Sequence, residues 1–179
     1  AFKRGLLSGG NLDLTTGADL GDPRVQKAVN HYLNTCHVLV TVLQPNCRST
    51  GPNSYFNSKV HYQTWRKHHQ EDLPHIQYCG HVALLQMKLG RYFLREQPTG
   101  TWIDEIPPWD IVCKDESVVD QNMHQCAAGA VDWYGWPAKK PTSFKANTTL
   151  LLEPLAPLQC ECTCPHAEAT GRNLEHLKH

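Results

Sequence analysis

Residues 37–43, HVLVTVL, constrain the fold more than any other stretch of this chain. The run is apolar and β-branched with almost no polar alternation. A strand with one wet face alternates, so a continuous run belongs to a central strand covered on both faces, of the parallel type. The next fifteen residues, QPNCRSTGPNSYFNS, are rich in Pro, Gly, Ser and Asn and make a loop directly after that strand. Ahead of it, Asp22 suits a helix cap and Pro23 a first turn, and Val25, Val29, Tyr32 and Leu33 share one helical face. Residues 59–89 are helical in pattern, with a break at Leu73-Pro74 and a C-cap at Gly90. RYFLRE, 91–96, reads as a second strand and runs into another Pro- and Gly-bearing loop. A short helix over 107–114, a strand near 117–121, a hairpin or irregular loop over 126–146 and a last helix over 147–158 follow. Residues 11–20 read as a strand end and a loop. Strand, loop, helix, repeated, predicts an α/β layer with a parallel sheet, whose ligands sit beyond the carboxyl ends of the strands.

The chain has 179 residues, 40% of them apolar and 19% charged, which suits one globular body rather than a disordered tail. Lys plus Arg equals Asp plus Glu at 17 each, so any nucleic-acid contact must come from a local patch. Most of the eleven histidines read as solvated. No apolar run reaches the roughly 18 residues of a membrane span. The opening AFKRGLLSGG is too short and polar for a secretion signal and lacks an initiator Met, so the chain reads as a processed piece or an excised domain. The eight cysteines are then mostly reduced, the location is intracellular (nuclear or cytoplasmic), and the glycosylation sequon at Asn147 is accidental.

Both loops after the strands carry reactive groups. Cys47 stands beside Arg48 in a turn-forming loop, where a nearby cation would favour the thiolate. It is an activated nucleophile or a plain loop cysteine. Glu96 ends the second strand and is an acid or hydrogen-bond acceptor facing the same crevice, or a surface partner of Arg91 or Arg95. Paired with a histidine, Cys47 would instead make a thiol protease. The five tryptophans read as packing residues, and Tyr134-Gly135-Trp136 remains open as a base contact.

Taken together, Pro45-Asn46-Cys47-Arg48 and Glu96-Gln97-Pro98 resemble the nucleophile and acid motifs of DNA cytosine-5 methyltransferases. Asp13 and Asp19 resemble the acidic strand-end positions near the adenosyl ribose and adenine. Gly135 to Lys140 resembles a segment that precedes a late strand. The likeness is closer still to methyltransferase-like domains of retroelement polyproteins, through Gly90 to Pro98, Gln125 to Gly129, Lys139 to Thr142 and Cys160 onward. It spans roughly residues 11 to 172. It implies a Rossmann-like, mainly parallel sheet with helices on both faces. Cys47 would add to carbon 6 of a cytosine, Glu96 would hold the ring nitrogen, S-adenosylmethionine would supply a methyl group, and Arg48, Lys139 and Lys140 would face nucleic acid. The chain departs from the family at its start. The glycine-rich cofactor loop would precede Asp13, where twelve residues stand, so the domain reads as N-terminally truncated. It is then a degenerate, nucleic-acid-associated part of a polyprotein, or an active methyltransferase completed by a further N-terminal segment.

The family pattern closes with C-x-G-x-H-x-H. Here the same offsets hold Cys160, Cys162, Cys164 and His166, and Cys for His is an exchange that zinc tolerates. The resemblance therefore implies a zinc site of Cys160, Cys164 and His166, completed by Cys126. It would staple a tail, 159–179, to a body, 1–158. A zinc-stapled interaction module without enzymatic activity is a further reading.

Overall fold

The computed structural model describes residues 7–168. The expected strand–helix–strand unit is present. Strand β1 (Val40–Leu43) lies parallel to β2 (Tyr92–Pro98), from Val40 opposite Tyr92 to Leu43 opposite Arg95. Helices α2 (Ser54–Val60) and α3 (Tyr62–Lys88) connect them, as a parallel pair requires a long crossover. Helix α1 (Pro23–Thr35) precedes β1 and is capped by Asp22 with Pro23 in its first turn.

The remaining strands correct the expectation of a mainly parallel sheet. β3 (Val119–His124) and β5 (Pro141–Ala146) are antiparallel neighbours, and β5 returns antiparallel to β2, giving the order β1-β2-β5-β3. One pairing of three is parallel. The cause is the length of the connections. A short helix, α4 (Trp109–Val112), precedes β3, and a loop containing the two-residue β4 (Ala138–Lys139) links β3 to β5. No helix long enough for a parallel crossover lies there. β4 pairs in parallel with β6 (Ala167–Glu168) as a separate ribbon.

Helices on both faces of the sheet are not found either. α3 is the helix that packs on β1 and β2. Helix α1 docks onto α3, where the Tyr78 hydroxyl donates to Gln26 O and Asn30 Oδ1. β1 is an edge strand, not the buried central strand that the apolar run over 37–43 predicts, and its opposite face leaves Val42 61% exposed. The core joins Val29, Leu33, Ile76, Val82, Phe93 and Trp109. Trp109 is fully buried, and its indole N–H donates to Ile76 O at 2.9 Å. A side chain on Gly80 would meet Pro108 at 2.9 Å, so only glycine allows α3 this close to the α4 entry. Arg95, also fully buried, lies 4.8 Å over the Trp109 ring and pairs with Asp104.

Local readings fail in three places. Pro74 does not break the helix. α3 runs through it, because Pro74 is exposed while Asp72, Ile76 and Cys79 anchor both sides. Residues 11–20 contain a 3-10 turn, Leu14–Thr16, capped by Asp13, rather than a strand end. Residues 147–158 make two 3-10 turns, since Pro154 and Pro157 deny donors to a longer helix. No helix among the described residues is long and apolar enough to cross a membrane. The Asn147 sequon is built into the sheet: its side chain accepts from Phe93 N at 2.9 Å and donates to Arg91 O at 2.8 Å.

Candidate functional site

The loop after β1 owes its shape to a buried carboxylate on α3. Asp72 is 4% exposed. It accepts from Asn46 Nδ2 at 2.9 Å and from the Arg48 guanidinium at 2.7 Å. Arg48 also reaches Glu71 at 3.0 Å, so its charge is committed within the loop. Behind these residues, the Cys47 carbonyl accepts from Gly51 N at 2.8 Å, and a side chain at Gly51 would sit 2.9 Å from that oxygen. The buried Gln97 side chain on β2 donates to Pro45 O, and Thr101 and Trp102 bond to Thr50 O. The loops after β1 and β2 are thus fastened to one another.

This fastening sets Cys47 and Glu96 near enough to bear on one another electrostatically, beyond and at the carboxyl ends of adjacent parallel strands. Both are half-buried. Strand alternation turns Glu96 away from the face of Arg95 and Gln97. Burial pushes the Cys47 thiol up, the ammonium of Lys140 opposes this, and the Glu96 carboxylate adds to it. Burial also raises the Glu96 carboxyl, again against Lys140. Lys140 arrives because Thr99 N donates to Pro141 O, setting the start of β5 beside the end of β2. The crevice therefore holds a neutral thiol, a carboxyl group that keeps its proton more readily than a surface acid, and an ammonium. Such a set can add sulfur to an electron-poor carbon and protonate a ring nitrogen. No histidine figures among the groups that shift the Cys47 thiol. His69 instead faces Ser49 Oγ at 3.4 Å and stacks on Trp65 with 5.1 Å between ring centroids. Lys139 is exposed beside Lys140.

A cleft of about 620 Å³ opens on the α3 side of the same loop, lined among others by Asp13, Asp19, Asn46, Arg48, Asp72 and His75. Asp13 and Asp19 reach it from turns rather than from strand ends. Asp13 Oδ1 accepts from Thr15 N and Thr15 Oγ1, both at 2.7 Å, which lowers its pKa. Asp19 accepts from Gly21 N at 2.8 Å. Burial pushes His75 down, although Asp72, Asp19 and Asp13 pull the other way. The volume suits a nucleoside. Among the described residues lining the cleft, however, no unpaired lysine or arginine meets the carboxylate of S-adenosylmethionine. Arg48 is already paired, and the nearby N-terminus of α1 is occupied by the Asp22 carboxylate, with Pro23 lacking a donor. The described residues do not fit that cofactor as a whole.

On the far side of β5 the cysteine-rich segment forms a cluster that could hold a metal ion. Cys126 comes from the 3-10 turn Gln125–Ala128, which ends at Gly129 with φ 91°. Cys160, Cys162, Cys164 and His166 come from the segment that follows the last 3-10 turn. Cys126, Cys160 and His166 place their donor atoms within 4.8 Å of one another, as do Cys162, Cys164 and His166. His166 Nε2 is 3.0 Å from Cys160 Sγ and 3.3 Å from Cys162 Sγ. Cys162 is the residue missed by the sequence reading, because it occupies the glycine position of the family pattern. The signal was its spacing: in extended chain, residues two apart face the same way, so three alternating cysteines converge. Around the cluster, His124 Nδ1 accepts from Cys160 N at 3.1 Å, His124 N donates to Leu158 O at 3.0 Å, and Ala167 N donates to Pro137 O at 2.9 Å. Gln125 N donates to Lys140 O at 3.1 Å, one residue from a cluster thiol and at the root of the crevice lysine.

No family model matches this chain, and neither does any curated protein or any solved structure.

Proposed function

We propose that this chain is a methyltransferase-like domain that binds nucleic acid and holds a pyrimidine base between Cys47 and Glu96, without performing methyl transfer through the described residues. One observation carries the reading: a thiol and a carboxyl group, both half-buried, stand at the ends of adjacent parallel strands beneath a shared lysine. Glu96, whose carboxyl burial pushes up, gives its proton to the ring nitrogen while the Cys47 sulfur bonds to carbon 6, and the thiol proton returns to the Glu96 carboxylate. Lys140 stabilises the thiolate as it forms. Water then gives a proton to carbon 5 as the ring nitrogen loses its own, and loss of either carbon-5 hydrogen to water expels the Cys47 thiolate, which takes up a proton, and returns the free base. The commitment of Arg48 to Asp72 and Glu71, which leaves no unpaired arginine or lysine among the described residues lining the cleft, supports binding and reversible addition over alkylation. The resemblance to retroelement polyproteins supports neighbouring polyprotein segments as further partners.

Zinc is the ion proposed for the cysteine cluster. Thiolate and imidazole donors suit it, and His124 steadies the ligand loop as outer-shell groups do.

Reversible addition exchanges the carbon-5 hydrogen of cytosine with solvent. Incubation of a cytosine-containing oligonucleotide in deuterated buffer, read by mass spectrometry, should show exchange that Cys47→Ser abolishes and Glu96→Gln slows at least about ten-fold. Absence of exchange with the folded, metal-loaded chain would overturn the reading.

A further inference from the structure

The loop over residues 131–137 exposes an unusual amount of aromatic surface. Trp133 is 70% exposed, Tyr134 79%, Trp136 52% and Val131 48%. The sequence reading placed Trp133 and Trp136 among packing residues, and the structure turns both rings outward. The loop is nevertheless tightly built. Asp132 is buried at 8%, and its carboxylate accepts from Tyr134 N at 2.9 Å and Trp136 N at 2.8 Å. Asp132 N donates to Trp136 O at 2.8 Å, and Gly135 N donates to Asp132 O at 3.0 Å. Gly135 takes φ 82°, a conformation that glycine adopts freely, and Val131 bridges to Pro137. The backbone polar groups of the turn are thus largely used internally, and rigid rings are presented to water at little entropic cost of ordering.

Its position gives those rings a context. Trp136 stands four residues before Lys140, so the tip lies within roughly 14 Å of the lysine that bears on Cys47 and Glu96. Exposed Lys139 lies between them. We propose that this loop is a stacking platform for unpaired nucleic-acid bases, and that the ligand of the domain is single-stranded rather than duplex. The inference rests on the assignment of a base to the Cys47–Glu96 crevice and names the class of strand that delivers it. Three features converge on it. Stacking needs π-faces that a paired, stacked duplex hides. Two lysines beside the rings match the phosphates of the same strand. The balanced total of 17 basic and 17 acidic residues gives little affinity for duplex phosphates alone, so stacking must supply what charge does not.

The test uses an oligothymidylate of roughly twelve nucleotides, which contains no cytosine and so reads strand binding apart from cytosine carbon-5 exchange. Titration into the full, metal-loaded chain should quench tryptophan fluorescence and bind more tightly than a duplex of equal length. The double variant Tyr134→Ala, Trp136→Ala should weaken binding at least about ten-fold, roughly the contribution of one stacked base. Circular dichroism and retained metal check that the double variant is folded. Undiminished binding by that folded variant, preference for duplex, or binding to lipid vesicles without binding to the oligonucleotide would each overturn the proposal. Loss of carbon-5 exchange with oligothymidylate binding intact would instead count against the crevice alone.

Discussion

The two flanks of the start of β5 are organised by different physics. On the β2 flank, at the crevice, the loops after β1 and β2 are fixed by polar side chains: Gln97 donates to Pro45 O, Thr101 donates to Thr50 O, and the buried Asp72 accepts from the side chains of Asn46 and Arg48. On the β3 flank, the segment from Cys160 is mostly exposed and adds no residue to the core. A cluster of thiols and one imidazole gathers it. Burial suits a region that carries a precise pair of reactive groups. Ligation suits a short segment that cannot exclude enough water to fold on its own account.

The sharpest way to break this comparison is to remove the metal. Structural zinc contributes about 10 kcal/mol or more of binding free energy in small sites. Chelation should therefore abolish hydrogen-exchange protection around 124–140 and 158–167 while residues 76–109 stay protected. Simultaneous loss of protection in both regions would show that they fold as one unit. A smaller effect is expected from the crevice side. Asp72→Ala leaves Asn46 and Arg48 without their buried acceptor and should cost about 3 kcal/mol in urea unfolding, without changing metal content. A change in metal content would join the two regions. The smallest effect is electrostatic. Burial holds Glu96 above its ordinary 4.5, so the folded chain keeps a proton that the unfolded chain releases. Its contribution is greatest below 4.5 and is lost as pH rises through the folded value. Glu96→Gln should flatten that decline in urea midpoint. An unchanged slope would mean that Glu96 is solvated.

What could be read from the sequence divides along the same line. The presence of the β1 strand, its Pro-rich loop and the second strand was legible, but the place of β1 was not: its continuous apolar run predicts a central strand, and it lies at the sheet edge with Val42 exposed. That reading placed Cys47 and Glu96 at neighbouring strand ends. The antiparallel return of β5 was not legible, since β3 and β5 carry mixed polar residues and their partners are chosen by connection length. Pro74 misled because the rule concerns a missing donor, whereas exposure and flanking burial decided the outcome. Cys162 was hidden by the resemblance and would have been found by its period of two. The aromatic tip was legible only in part: Tyr134-Gly135-Trp136 stood open as a base contact, but tryptophan usually packs, and the turn that Asp132 holds together was not readable from composition.

Asn147 has a practical consequence for anyone producing the protein. Its amide continues the β2–β5 ladder where the backbone departs, donating to one strand carbonyl and accepting from one strand amide. A host that routes the chain through a glycosylating compartment would attach sugar there before β5 meets β2. The sheet could then not close, and the product would be retained as a misfolded glycoform. Expression in a bacterial cytosol, or a Thr149→Ala variant in a secreting host, which removes the sequon and keeps the Asn147 amide, separates folding from that modification.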